Sequence, residues 1–168
     1  SGTIAVNNGT ITATNLVPGV YVSTEAVLAG WDLNSVSCDD GNSVGSVSAR
    51  TATFNLEAGE TVTCTFTNTK QGTVIVKKVM VGGTDTFTYT GTPSGAIAVN
   101  NGTITAANLV PGQYVSTEAV LAGWDLNSVT CDDVNSVGSV GARTATFNLE
   151  AGEIVTCTFN DTKQGTVI

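Results

Sequence analysis

Histidine is absent from the 168 residues, methionine occurs once, and only 12% of the side chains are charged. Without histidine the commonest general base near neutral pH and the commonest metal ligand are both missing. Serine–histidine and cysteine–histidine nucleophile systems are therefore excluded, and histidine-containing zinc sites with them. Six basic residues against 14 acidic ones leave a net charge of −8. A phosphate backbone is bound by clustered Lys and Arg, which are lacking, so nucleic acid is not a partner. No apolar run approaches the roughly 18 residues that span a membrane, so no membrane insertion is expected. The N-terminus carries no initiator Met, basic n-region or apolar h-region, and the chain reads as a mature soluble segment. No cofactor is called for. Only carboxylate-based hydrolysis is conceivable as catalysis, and since no carboxylate pair stands out, an enzyme is not expected.

What is present is 28 Thr and 19 Gly, the composition of a β-rich chain with many turns. Residues 1–75 recur as residues 94–168, at an offset of 93, with nine differences: Thr3/Ala96, Thr14/Ala107, Val20/Gln113, Ser37/Thr130, Gly41/Val134, Ser48/Gly141, Thr61/Ile154, Thr67/Asn160 and Asn68/Asp161. The chain is thus a tandem array, read as a first repeat at 1–70, a complete second repeat at 71–163, and the start of a further first strand at 164–168. Each repeat holds two of the four cysteines, Cys38 and Cys64 in one, Cys131 and Cys157 in the other. A unit copied in tandem must be able to close itself, so the expected bridges are Cys38 to Cys64 and Cys131 to Cys157. The alternative, a zinc site, would have no Cys-x-x-Cys pair and only two thiolates per repeat. Disulfides imply an oxidising, extracellular compartment such as the cell surface.

In the second repeat Thr73 to Met80 and Thr84 to Thr90 read as a hairpin, and Ala96 to Val99 with Thr103 to Ala106 as another around Asn100-Asn101-Gly102. Strands are expected next at Gln113 to Ala119, Asp125 to Cys131, Thr144 to Phe147 and Ile154 to Asn160, with Asp132 to Arg143 as a loop. About seven short strands per repeat without helical periodicity predict an all-β chain of tandem immunoglobulin-like or prealbumin-like β-sandwiches. Alternation places Val155, Cys157 and Phe159 on the core side of the last strand.

The order Gly72-x-Val74-x-Val76-x-Lys78, Val110-Pro111-Gly112-x-Tyr114-x-x-x-Glu118, Ala122-Gly123-Trp124 and Phe159-x-Asp161-x-Lys163 resembles the prealbumin-like B-type repeat of Gram-positive adhesins and pilins. It is similar to CnaB and SpaA-type domains, and more closely to a variant with paired cysteines before its Phe-x-Asn-Thr-Lys ending. The resemblance covers a full repeat. It departs at Ser116, where the family carries an apolar residue. The resemblance implies a stalk module or fibre subunit, and an internal isopeptide bond between Lys78 and Asp161 assisted by Glu118. There a buried, neutral amine would attack the carbonyl, while a protonated glutamate polarises it and shuttles the proton. Glu25 and Asn68 match in the first repeat, whose lysine would lie ahead of Ser1.

Other residues point to weaker possibilities. Asp39, Asp40, Asp132 and Asp133 collect oxygen donors for calcium, against the bland reading of a polar turn. Trp31 and Trp124 can stack on a sugar or cap a core. Asn8, Asn101 and Asn160 begin glycosylation acceptor triplets. The expected function is a structural repeat module of an extracellular stalk, pilus-like fibre or filament, whose partners are copies of itself or adjacent repeats head to tail. The alternative is an adhesin or a carbohydrate- or calcium-binding surface module. The first repeat lacks the segment that Val76 through Pro93 supplies to the second. This fits a window cut from a longer array, or subunits completing one another by strand addition.

Overall fold

The computed structural model describes residues 2–168. It contains strands and turns, with no helix among the described residues. Two compact units are present: one is built from the chain up to Val27 with Leu33–Asn68, the other from Leu28–Asp32 with Thr69–Ile168. Before Gln71 the strands are β1 (Gly19–Thr24), β2 (Trp31–Cys38), β3 (Val44–Ser46), β4 (Thr51–Leu56) and β5 (Cys64–Lys70). They pair in the order β1-β4-β3 and as β2-β5.

The second unit is a sandwich of nine strands: β6 (Gly72–Val81), β7 (Phe87–Gly91), β8 (Gly95–Ile97), β9 (Thr103–Leu109), β10 (Gly112–Glu118), β11 (Trp124–Cys131), β12 (Val137–Ser139), β13 (Thr144–Leu149) and β14 (Ile154–Lys163). One sheet runs β12-β13-β10-β7-β8, the other β11-β14-β6-β9. At the centre of the second sheet β6 and β14 lie parallel, with Cys157 opposite Val76 and Phe159 opposite Lys78. Strict alternation puts Val74, Val76, Lys78 and Met80 of β6 inward beside Val155, Cys157, Phe159 and Asp161 of β14. Their apolar members meet Phe87, Tyr89, Ala145 and Phe147 from the facing sheet. Edge-to-face ring pairs, Tyr89 on Phe159 and Phe87 on Trp124, each have centroids 5.2 Å apart.

Two pairings differ from those expected from the sequence. β6 and β7 do not form a hairpin, and neither do β8 and β9; in each case the chain crosses from one sheet to the other. Both β6 and β7 carry an apolar face, and those faces are buried against each other only when the strands lie in opposite layers. The Asn-Gly turn serves a different purpose. Asn100 Oδ1 accepts from the Met80 N–H at 2.8 Å, the Asn101 N–H donates to Lys78 O at 2.8 Å, and the Lys78 N–H donates to Gly102 O at 3.0 Å. It thereby occupies the edge of β6 beyond the end of β9. The expected loop from Asp132 to Arg143 also contains the short edge strand β12, which pairs with β13.

Disulfides join Cys38 to Cys64 and Cys131 to Cys157, each across 26 residues. Cys131 and Cys157 sit directly opposite on β11 and β14, so the bridge staples neighbours within one sheet. Closing a loop of this length stabilises by roughly 3 to 4 kcal/mol in the chain-entropy description.

Nearly identical sequence takes two forms. Residues 95–109 contain β8 and β9, which pair with β7 and β6, whereas residues 2–16, their counterparts, form no strand. The counterparts of β6 and β7 would lie ahead of residue 1, so the ladders that order β8 and β9 have no equivalent in the first unit. The same difference leaves Phe54 and Phe66 half-buried where Phe147 and Phe159 are fully covered. Truncating a buried Phe costs about 3–5 kcal/mol, and less where the ring is partly in water. In urea denaturation Phe147→Ala is accordingly expected to destabilise the second unit by about 3–5 kcal/mol, and Phe54→Ala to move the first unit's transition by clearly less.

Candidate functional site

Lys78, Glu118 and Asp161 are the largest buried polar side chains, none more than 1% exposed. Three strands converge them: Lys78 points inward from β6, Asp161 from β14 beside it, and Glu118 from the end of β10 in the facing sheet. Lys78 Nζ donates to Glu118 Oε2 at 2.7 Å and also contacts Asp161 Oδ2. It sits 3.6 Å from the centroid of the Phe87 ring, whose negative face favours a cation. Lys77, one residue away, is turned to the outer face.

Two further side chains complete the cluster. Arg143, next to the start of β13, contacts Glu118 Oε1 and lies 3.4 Å from Asp161 Oδ1 through the same Nη2. Tyr89 donates its hydroxyl to Glu118 Oε2 at 2.7 Å. Burial, then the adjoining Glu118 carboxylate, holds the Tyr89 phenol far above its ordinary range, so it remains a donor at any working pH. Glu118 thus accepts from Lys78, Tyr89 and Arg143 on its two oxygens, the pattern of a carboxylate. The side chain that faces Asp161 Oδ1 is Arg143, where the sequence led to Glu118 being expected. Two cations and two anions balance within the cluster, as buried charges require.

Sequence reasoning passed over Arg143, Tyr89 and Phe87. A signal existed for the first, because each repeat has a single Arg in a chain poor in bases. Ser116 is explained by its surroundings: buried on β10, it donates to Pro93 O at 2.8 Å. In the first unit Arg50 contacts Glu25 Oε1, and Asn68 Nδ2 donates to Glu25 Oε2 at 3.0 Å, filling the acceptor that Lys78 occupies in the second.

The family model of the prealbumin-like fold domain matches residues 1–70 and again 74–163. The chain belongs to this prealbumin-like family. Among solved structures it is similar to GBS52, a minor pilin of Streptococcus agalactiae, at 16% identity and a TM-score of 0.38, covering 71% of this chain and 67% of that one. The major pilin of Streptococcus pyogenes matches at 16% identity and TM-score 0.35, over 89% and 72% of the two chains. The Bacillus anthracis TIE protein matches at 12% identity and TM-score 0.35, over 86% of this chain and 34% of its own. No curated protein matches the chain.

In these prealbumin-like repeats the acidic turns act as staples. Asp132 Oδ1 accepts from the Thr156 N–H at 2.7 Å, and Asp39 does the same for Thr63. Asp133 accepts from the Ser136 hydroxyl at 2.6 Å, whose oxygen accepts from the Asn148 N–H at 2.9 Å; Asp40, Ser43 and Asn55 repeat the arrangement. Among the described residues no group of three or more carboxylate or thiol side chains gathers to hold a metal. Trp124 is 5% exposed and packed on Phe87, with its indole N–H 3.4 Å from Asp85 Oδ2, so its ring is not open to a sugar. Trp31 is 38% exposed. Asn8 and Asn101 are exposed in turns, and Asn160 is half-buried within β14.

The hydrogen bonds from Ser136 and Ser43 hold the carboxyls of Asp133 and Asp40 below their ordinary value of 3.8. A carboxyl lowered on folding stabilises the fold above its unfolded value, and that contribution disappears as the pH falls through the lowered one. Replacing both by Asn is expected to flatten the acid limb of a plot of stability against pH, with no change in its shape above about pH 6, as read by urea denaturation.

Proposed function

We propose that the chain is a structural, non-enzymatic module of an extracellular stalk or pilus-like fibre, in which repeats of 93 residues each fold as a prealbumin-like sandwich with its own disulfide. The observation that carries this reading is the cluster joining β6 to β14. These are the first and last strands of a repeat, and they lie side by side and parallel. Tension entering at the start of β6 and leaving at the end of β14 pulls them in opposite directions, so their ladder is sheared and its hydrogen bonds are loaded together. The near identity of neighbouring units, nine differences in 75 aligned positions, fits a part whose contribution is length. The division into repeats at 1–70 and 71–163, with 164–168 opening a further first strand, follows the same period.

Within this reading Lys78 and Asp161 condense to an amide. Lys78 Nζ passes a proton to Glu118, attacks Asp161 Cγ, and the Asp161 oxygen leaves as water with the two lysine protons; a cation and an anion become a neutral amide and water. The bond would short-circuit the chain between its ends, which are 83 positions apart, so the module could not lengthen under load. After allowing for the four hydrogens lost in the two disulfides, the intact mass of the oxidised protein is expected to fall one water short of the sequence mass. Asp161→Asn is expected to fall one ammonia short of its own, and Lys78→Ala to show no deficit; a full-mass wild type refutes the amide.

The first unit's half-buried Phe54 and Phe66 fit completion by a strand like β6, from a preceding repeat of the same chain or from a neighbouring subunit. Head-to-tail exchange between subunits predicts concentration-dependent oligomers of the 168-residue chain in light scattering; a monomer at all concentrations excludes it.

A further inference from the structure

We infer that Arg143 is an electrostatic positioning residue for amide formation between Lys78 and Asp161, an inference that rests on the amide reading above. Its guanidinium touches both carboxyls on the oxygens that Lys78 leaves free, Glu118 Oε1 and Asp161 Oδ1. Its backbone grips the same glutamate, the Glu118 N–H donating to Arg143 O at 2.9 Å. Arg143 itself is held at φ 55°, in the left-handed region, by its N–H donating to Val140 O at 3.1 Å. L residues adopt that conformation at a cost, and here it directs both the carbonyl and the guanidinium at Glu118.

The first unit shows that this grip does not depend on the lysine. Arg50 lies at φ 55°, accepts from the Glu25 N–H at 2.9 Å and contacts Glu25 Oε1, with no lysine among the described residues of that cluster. The arginine–glutamate pair is therefore common to both units.

The chemistry gives the pair two tasks. During condensation negative charge gathers on the Asp161 oxygen that stays as the amide carbonyl while the other departs as water. Lys78 contacts Oδ2 and Arg143 faces Oδ1, so a guanidinium already stands beside the oxygen that holds the charge. After condensation neither Lys78 nor Asp161 is charged, and Glu118, 1% exposed, would be a buried anion without a cation if Arg143 were absent. The groups facing the reaction are Lys78, Tyr89, Glu118, Arg143 and Asp161, one from each of five chain segments. Tyr89 stays a neutral donor, which leaves Arg143 as the only fixed charge among them.

The test follows amide formation after cell-free synthesis under oxidising conditions, with samples quenched in denaturant and weighed intact, and folding checked by circular dichroism. Wild type is expected to lose one water at a rate independent of pH across neutrality. Arg143→Gln is expected to slow by about a hundredfold or more and to speed up as the pH falls, because a proton must then replace the guanidinium. Arg143→Lys, which keeps the charge without the fork, is expected to fall between them with the wild-type pH profile, and serves if the Gln variant does not fold. Either variant reacting at the wild-type rate and pH profile overturns the role of Arg143 while the amide reading stands. A wild type that never loses water overturns both.

Discussion

Lys78, Glu118 and Asp161 are buried where β6, β10 and β14 meet, with the half-buried Arg143 beside them, and the second unit is organised around keeping these four charges neutral in sum. A buried ion pair contributes little net stability when intact and costs several kcal/mol when one partner is lost, about 3–5 in measured cases. Lys78 therefore demands Glu118 and Asp161, and these demand Lys78 and Arg143, so strands from both sheets are held in one register. A purely apolar core of Val and Phe could tolerate a slip by two residues along the strand; a slip here would strand an unpaired charge beside Phe87 and Phe159.

That constraint connects local structure to the topology of the sandwich. The parallel neighbours β6 and β14 are distant in sequence, and a parallel pair of this kind needs the whole domain as its crossover. The ion cluster and the cross-strand disulfide lie on the same strand, β14, with Cys157 and Asp161 facing the same side. Each ties β14 to a different neighbour, the disulfide to β11 and the cluster to β6. The last strand is thus tied on both flanks by a contact additional to its ladder of backbone hydrogen bonds. Thr156, Thr158 and Thr162 lie on the opposite, outer face of β14.

Comparison of the repeats separates the contributions of sequence and context. Asp133, Ser136 and Asn148 form the same staple as Asp40, Ser43 and Asn55, because each link joins residues no more than 12 positions apart. Residues 2–16 and 95–109 behave differently, because β8 and β9 depend on ladders with β7 and β6. The inward face of β14 was legible from alternation, and Lys78, Glu118 and Asp161 from their motif positions. Arg143 was not, because it lies 25 residues from Glu118 in what reads as a polar loop, and nothing periodic marks a loop residue as inward. The two expected hairpins failed for a related reason: turn chemistry specifies that the chain reverses, and does not specify whether it returns to its own sheet.

The sequence by itself determined the all-β class, the period of 93, the cysteine pairing within each repeat and the side of the last strand that faces the core. These follow from composition, self-similarity and a two-residue period, all of which are local. Only the tertiary structure decided which strands are neighbours, that β6 and β14 run parallel, and that Arg143 and Tyr89 share Glu118 with Lys78. Those outcomes depend on burying two apolar faces against each other while leaving no charge unpaired. Both conditions are met by residues tens of positions apart, and they exist only once the layers are closed.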